Sequence, residues 1–147
     1  MKLNEKQSFC RFAELRLDAR RMPVSPDTLT LEVRNLEVPV LTGIYSEETH
    51  LPQPLRISVA VTLDCPTHFA PCTPLAASKN YMDLKRAMTE ALPPGVHFVL
   101  IEAVADHIAE TLFVQDQRVQ RVETRIVKLA IAEHDEEIGI TLIRHRT

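Results

Sequence analysis

Four polar side chains are of types that transfer protons or hold ligands, and packing alone does not require them where they stand. Glu102 follows Ile101 at the end of an apolar run, where a helix is predicted to begin. Lys128 ends a predicted strand, Tyr81 opens a predicted helix, and Glu48 lies in a polar connection between strands. Each also has an explanation that involves no function. Glu102, for example, would stabilise its helix by roughly 0.3–1 kcal/mol as a carboxylate in the first turn. None of the four is specific by itself.

Several other chemistries lack the residues that they need. A glycine-rich phosphate loop is excluded, because the three glycines are isolated from one another. No local Ser-His-Asp or Cys-His signature is present, although side chains distant in sequence could still meet in space. The six histidines are scattered and show no metal-ligand spacing on a helix face. We therefore expect no metal ion.

Length and composition predict one ordinary globular domain. The chain has 147 residues, 45% hydrophobic and 25% charged, so it can bury a core without disulfide bonds. The net charge of −3 argues against non-specific nucleic-acid binding, because domains that read phosphates are usually basic. No apolar run approaches the ~18 residues that a membrane span needs. Cys10, Cys65 and Cys72 show no ligand spacing, so we expect reduced thiols in a cytoplasmic protein.

The spacing of apolar residues predicts four strands. Residues 55–63 alternate without a break between apolar and more polar side chains, which is typical of a strand with one buried face. An earlier strand begins at Thr28, and two more, at residues 122–128 and 138–142, close the chain.

Two helices are predicted between the second and third strands. The first covers residues 81–92, with Asn80 as its N-cap, and the second covers residues 99–113 with one apolar stripe. The order ββααββ predicts an α+β fold, a four-stranded antiparallel sheet with two helices on one face. Such a sheet has two edge strands, and pairing them across subunits would close a β-barrel ring.

Residues 1–28 differ in character from the rest. Basic and apolar residues are interleaved there, and Pro23 and Pro26 would stop any helix. Both a docking arm and a loosely ordered tail stay open as explanations. The chain is therefore divided into an N-terminal extension, 1–28, and a domain, 29–147.

Four short segments share the order and the intervals of one family's motifs. They are Gly43 to Glu48 with the trailing Gln53, then Asn80-Tyr81, then Phe98-Val99-Leu100-Ile101-Glu102, and finally Val127-Lys128. Over residues 30–145 or so, the pattern resembles the dihydroneopterin aldolase family. The family's motifs that correspond to these four segments are, in the same order, a Gly-x-x-x-x-Glu turn with a trailing glutamine, an Asp-Tyr pair, a pterin-anchoring Phe-x-Leu-(Leu/Ile/Val)-Glu segment and a lysine that ends the third strand. The anchoring segment is the most specific match.

The resemblance implies an activity and a role for each residue. The substrate would be 7,8-dihydroneopterin, cleaved by a retro-aldol step to 6-hydroxymethyl-7,8-dihydropterin and glycolaldehyde in folate biosynthesis. Glu102, beside Ile101, would bind the pterin's amino group and ring nitrogen. Lys128 and Tyr81 of a neighbouring chain would transfer protons, and Glu48 would position the hydroxyls and a catalytic water. No cofactor is implied, because the dihydropterin ring takes up the electrons. The resemblance also implies a homo-oligomer, with tetrameric rings stacked into an octamer and sites at subunit interfaces.

Three departures from the family's pattern keep other functions open. Leu129 stands where the family usually has proline, residues 72–79 carry no carboxylate, and residues 1–28 have no counterpart. One alternative is an epimerase of dihydroneopterin triphosphate, which would need a basic patch; the exposed candidates are Lys79, Lys85 and Arg86. The other is a non-catalytic pterin-binding paralogue.

Overall fold

The computed structural model describes residues 27–44 and 51–147. Its elements are β1 Thr28–Val40, β2 Gln53–Asp64, a short 3-10 turn Leu75–Ala77, α1 Met82–Met88, α2 Ile101–Gln115, β3 Val119–Lys128 and β4 Ile138–His145. The order ββααββ and the antiparallel pairing of all four strands confirm the predicted fold class. The extension predicted at residues 1–28 lies outside the described residues except for its last two positions, and stays a prediction.

The sheet runs β1-β2-β3-β4, so each strand pairs with its neighbour in sequence. Along β2, fully buried side chains alternate with half-exposed ones, as the sequence period predicted. The buried side chains meet similar ones on β3, where Ile57 lies opposite Ile126 and Val61 opposite Val122. Both helices pack against this face and complete a single core.

The second helix, α2, carries the apolar stripe that its sequence predicted. The buried side chains recur every three or four residues and are Ile101, Val104, Ala105, Ile108, Ala109 and Leu112. Fully burying one leucine or isoleucine side chain stabilises a fold by about 1.5–3 kcal/mol. The stripe therefore holds α2 firmly on the sheet, and the first turn of the helix, which contains Glu102, is held with it.

The first helix, α1, is shorter than the predicted 81–92. Its N-cap is Tyr81, although the Oδ1 atom of Asn80 accepts a hydrogen bond of 2.9 Å from the first helical N–H. The helix ends where Thr89 leaves the helical region, with φ −128° and ψ −83°. Leu92 still packs against the core from the following turn, so the apolar spacing continues beyond the helix.

Gly139 is required for the pairing of β4 with β3. It lies opposite Val127, and a Cβ atom at this position would come within 1.9 Å of the carbonyl oxygen of Ile126. No side chain can approach backbone so closely, so Gly139→Ala must push the two strands apart. We expect a loss of about 1–3 kcal/mol in the free energy of unfolding, measured by denaturant titration. Thr141→Ala, two residues along the same strand, is the control, and equal stability of the two variants would contradict the close approach.

The described cysteines are in different states. Cys65 is a free thiol, and partial burial, with the nearby charges of Asp27 and Asp64, raises its pKa. Cys72 is disulfide-bonded, so the expectation of reduced thiols throughout is wrong at this position. Cys10 lies outside the described residues. No helix in the described part of the chain is long and apolar enough to cross a membrane.

Candidate functional site

A short parallel pairing brings two of the sequence motifs side by side. Thr42 pairs with Phe98, the N–H of Gly43 donates to the Phe98 carbonyl oxygen over 3.2 Å, and the Phe98 N–H donates to the Leu41 carbonyl oxygen over 2.8 Å. The Nε2 atom of His97 lies 2.7 Å from the Gly43 carbonyl oxygen. The glycine turn and the predicted anchoring segment are therefore neighbours at the end of the sheet.

Glu48 lies outside the described residues, but both ends of its connection are fixed. At the first end, Gly43 has a φ of 123°, which glycine adopts readily and residues with a Cβ atom rarely do. At the second end, Gln53 starts β2 opposite Val40, and its side-chain amide donates to the carbonyl oxygen of Leu51 over 3.3 Å. The role predicted for Glu48 stays a prediction.

Glu102 presents an open carboxylate beside an apolar surface. It is exposed in the first turn of α2 and makes no hydrogen bond or ion pair with any other residue that the structure describes. Next to it, Val99 and Leu100 expose 57% and 53% of their surfaces. Ile101 is different, because its side chain belongs to the core and leaves only its backbone for a ligand. The carboxylate is thus available for a ligand and is held by a buried helix.

Lys128 ends β3 opposite Leu55 of β2 and Ile138 of β4. Because Leu55 is buried on the helix-covered face, Lys128 lies on that face too, half-buried at its end. The next N–H, that of Leu129, donates to the carbonyl oxygen of Pro54 over 3.2 Å. A proline at this position would have no N–H to donate. The departure from the family's pattern therefore adds a backbone bond beside the lysine.

Tyr81 exposes 63% of its surface just before α1. Its hydroxyl makes no hydrogen bond within residues 27–44 and 51–147, so nothing described there joins it to Glu102 or Lys128. Its backbone is well held, because its carbonyl oxygen accepts a hydrogen bond of 3.1 Å from the N–H of Leu84. A tyrosine that is exposed on a fixed backbone is suited to contact a second chain.

Lys79 was expected to be exposed, and the structure corrects this. Only 3% of its side chain is accessible, and its Nζ atom lies 3.2 Å from Asp83 and 3.5 Å from Asp116. Asp116 also forms a 2.9 Å ion pair with Arg118, whose guanidinium donates to the carbonyl oxygen of Ala76 over 2.7 Å. A basic patch for phosphates therefore loses one of its three candidates. Sequence reasoning missed this cluster, because a lysine in a proline-containing loop is usually solvated.

The electrostatics of this cluster lower the pKa of Asp116 to about 2, first through its hydrogen bond with Arg118 and also through the charge of Lys79. Since the folded pKa lies below the unfolded value, ionised Asp116 stabilises the fold above about pH 4 and this contribution is lost as the pH falls towards 2. The shift from 3.8 to about 2 corresponds to roughly 2 kcal/mol.

Asp116→Asn is expected to lower the free energy of unfolding at pH 7 by an amount that shrinks as the pH falls below about 4. Denaturant titrations at several pH values measure this difference. Glu90→Gln, which changes an exposed carboxylate on the turn after α1, is the control. A difference that is the same at every pH would show that the charge of Asp116 is not its cause.

The described residues also line a groove of about 240 Å³ between the end of β1 and the turn before α2. Its walls include Val38, Val40, Leu92, Pro93 and Phe98, and no titratable side chain lines it. The described lining of the groove thus offers no charged side chain to pair with a ligand or to take up its proton. Among all the residues that the structure describes, no group of three or more His, Cys, Asp or Glu side chains could hold a metal ion.

Comparison with known proteins gives one family. The family model described as FolB, dihydroneopterin aldolase, matches residues 31–143. This span includes all four segments that were singled out from the sequence. A comparison with curated proteins finds no match.

Solved structures of three bacterial proteins share the fold. A putative dihydroneopterin aldolase from Vibrio cholerae is 24% identical with a TM-score of 0.65, over 84% of this chain and all (100%) of that one. The E. coli dihydroneopterin aldolase in complex with neopterin is 19% identical with a TM-score of 0.64, over 79% of this chain and 98% of that one. The enzyme from Burkholderia thailandensis bound to guanine is 21% identical with a TM-score of 0.67, over 82% of this chain and 93% of that one.

Proposed function

The chain belongs to the dihydroneopterin aldolase family, the lyases that cleave 7,8-dihydroneopterin in folate biosynthesis, and we propose that Glu102, Lys128, Glu48 and Tyr81 form its active site. The observation that carries the proposal is the open carboxylate of Glu102, next to the glycine turn from which the connection with Glu48 starts. The site would lie where two subunits meet.

Glu102 is the group proposed to bind the pterin. The ring's amino group and the neighbouring N–H form a paired donor edge, and a carboxylate can accept from both at once. Val99 and Leu100 would supply apolar surface for the flat ring, and both are exposed beside the carboxylate. Ile101 would contribute its backbone N–H, because first-turn amides have no partner within their helix. The neopterin and guanine bound to two of the similar proteins carry the same kind of donor edge.

Lys128 and Tyr81 are proposed to carry out the proton transfers, and Glu48 is proposed to position the hydroxyls and a catalytic water. The hydroxyl on the second side-chain carbon of the substrate loses its proton, and the bond between the first and second carbons breaks. The electron pair of that bond enters the dihydropterin ring, and glycolaldehyde leaves. A proton then returns to the first carbon and gives 6-hydroxymethyl-7,8-dihydropterin. The fixed backbone of Lys128, with its half-buried side chain, supports a role in this transfer.

A homo-oligomer is proposed because the single chain leaves its sheet and its site incomplete. Among the described residues, β1 and β4 each have one edge without a partner strand, and such edges are usually paired or covered. Tyr81 is exposed and has no partner for its hydroxyl among the described residues of its own chain. Tetrameric rings, stacked into an octamer, would pair the edges and bring Tyr81 to a neighbouring site. Light scattering coupled to size-exclusion chromatography measures the subunit number, and a monomer that turns over substrate would overturn this part.

Epimerisation of the same side chain is proposed as a secondary activity. It needs only that the two retro-aldol products recombine with the opposite configuration. A specific triphosphate epimerase is disfavoured by the burial of Lys79 between Asp83 and Asp116, which removes a cation from the surface.

The decisive experiment is turnover by the purified full chain. The protein is supplied with 7,8-dihydroneopterin and, separately, with its triphosphate, and the products are separated by chromatography. Release of 6-hydroxymethyl-7,8-dihydropterin from the free substrate supports the proposal. Epimer without cleavage would show that the protein is an epimerase instead, and binding without any product would show that it is a non-catalytic pterin-binding protein.

A cytoplasmic location is also proposed, because the three cysteines are odd in number and show no Cys-x-x-Cys or Cys/His ligand spacing. Disulfides are rare in the cytoplasm, and Cys72 is disulfide-bonded in the structure. The oxidation state of Cys72 in cells is therefore the best test of the location. Cells would be lysed in an alkylating reagent and the modified cysteines identified by mass spectrometry. Alkylated Cys72 supports the cytoplasm, and a protected Cys72 counts against it.

A further inference from the structure

The buried ammonium of Lys79 lies between two carboxylates from different parts of the fold. Asp83 belongs to the first turn of α1, and Asp116 directly follows the last residue of α2. The Nζ atom of Lys79 is 3.2 Å from the first and 3.5 Å from the second. A buried cation is costly unless it is paired, and this one is paired twice. Lys79 therefore ties the start of α1 to the end of α2.

Tyr81 lies inside the span that this lysine closes. The Lys79–Asp83 ion pair joins the residues two positions before and two positions after it. Between them, the Oδ1 atom of Asn80 accepts a hydrogen bond from the N–H of Met82, 2.9 Å away. The side chain of Tyr81 is 63% exposed and has no partner for its hydroxyl among the described residues, so among them the position of its backbone is what limits the places that the hydroxyl can reach.

The surrounding charges limit how much the loss of the lysine would cost in stability. Asp83 also pairs with Arg86 over 3.3 Å, and Asp116 pairs with Arg118 over 2.9 Å. Without the lysine, each carboxylate keeps an arginine partner and neither becomes an isolated buried charge. What is lost is the ionic link between α1 and α2 around Tyr81, while the packing of both helices in the core remains.

We propose that Lys79 is a positioning residue, whose buried ammonium fixes the backbone of Tyr81 and so sets the place of the tyrosine hydroxyl in the site of a neighbouring subunit. The inference rests on the proposed function for its catalytic consequence. Its geometric part, that Lys79 immobilises Tyr81, can be measured without any turnover.

The geometric part is tested by tyrosine fluorescence. The chain has two tyrosines and no tryptophan, so in a Tyr45→Phe background Tyr81 is the only emitter. Adding Lys79→Met should give a faster decay of the fluorescence anisotropy, as the tyrosine gains local motion. Adding Lys85→Met instead, which changes an exposed lysine of α1, should leave the decay unchanged. An unchanged decay in the Lys79 variant would overturn the proposal.

The catalytic part is tested by a double-mutant cycle on turnover. Lys79→Met should lower kcat/KM for 7,8-dihydroneopterin by roughly tenfold, because a small displacement of a catalytic group is costly. In a Tyr81→Phe background the same substitution should change it little, because the group that it positions is already gone. An equal loss in both backgrounds would assign Lys79 a general structural role and overturn the inference.

If wild-type protein has no turnover, the proposed function fails while the anisotropy result still decides the geometric part. Asp83→Asn replaces Lys79→Met should the latter not fold, with the same expected directions.

Discussion

Glu102→Ala is expected to abolish pterin binding while leaving the fold intact. The carboxylate is proposed to accept two hydrogen bonds from the ring, and bonds to a charged group contribute about 1.5–3 kcal/mol each. Losing both would weaken the affinity by roughly 10²- to 10⁴-fold. Titration calorimetry with neopterin and with guanine, which two of the similar proteins bind, measures this directly. Neither probe requires turnover, so the result is independent of the catalytic groups.

The fold should tolerate this substitution because the side chain contributes little to it. Glu102 is exposed and has no hydrogen-bond or ion-pair partner among the described residues, so only its favourable place near the helix N-terminus is lost. That term is about 0.3–1 kcal/mol. Glu110→Ala, an exposed carboxylate further along α2, is the matched control and should bind both probes as the wild type does. Wild-type affinity in Glu102→Ala would refute the anchoring role.

The parts of the fold that could be predicted from the sequence are those whose periodicity decides burial. β2 alternates along its length, and α2 repeats apolar residues every three or four positions. A period of two suits a strand with one buried face, and a period of three to four suits a helix with one buried face. In both elements the pattern therefore predicts the type of element and also the face that packs on the core. The strand order was not predicted and comes from the structure, in which consecutive strands lie side by side, as antiparallel strands usually do.

The end of α1 and the burial of Lys79 could not be predicted in the same way. The spacing of Leu84, Met88 and Leu92 suits a helix, yet Leu92 reaches the core from a turn. Lys79 is buried because Asp116, distant in sequence, approaches it in space. Periodicity carries no information about such a contact, since it reports only which face of one element is apolar.

In the candidate site, too, some features could be predicted from the sequence pattern and others could not. Glu102 and Lys128 were identified because each interrupts or ends an apolar pattern, and the register then places Lys128 beside Leu55. The pairing of Thr42 with Phe98 was not foreseen, because two residues make too short a ladder to leave a period in the sequence. The role of Tyr81, like the roles of the other site residues, was assigned through the family resemblance, and its partner groups would lie in another subunit.

Lys128→Ala is expected to retain pterin binding and to lose turnover. A positioned proton-transfer group contributes about 10²- to 10⁴-fold to a reaction rate, so kcat should fall by a factor in that range. Affinity for neopterin should stay close to that of the wild type, because the ring is anchored by Glu102 on a different element. Steady-state turnover of 7,8-dihydroneopterin and calorimetry on the same preparation separate the two effects.

The position of Lys128 explains why its removal should act on chemistry more than on folding. It is half-buried at the last residue of β3, where the backbone stays paired through the Leu129 N–H to Pro54. Lys128→Arg tests the proton-transfer role more narrowly, because a guanidinium keeps the charge but does not give up its proton. Both variants should therefore bind neopterin and fail to cleave the substrate. Wild-type turnover in Lys128→Arg would show that the charge suffices, and the proton transfer would then have to be assigned to Tyr81.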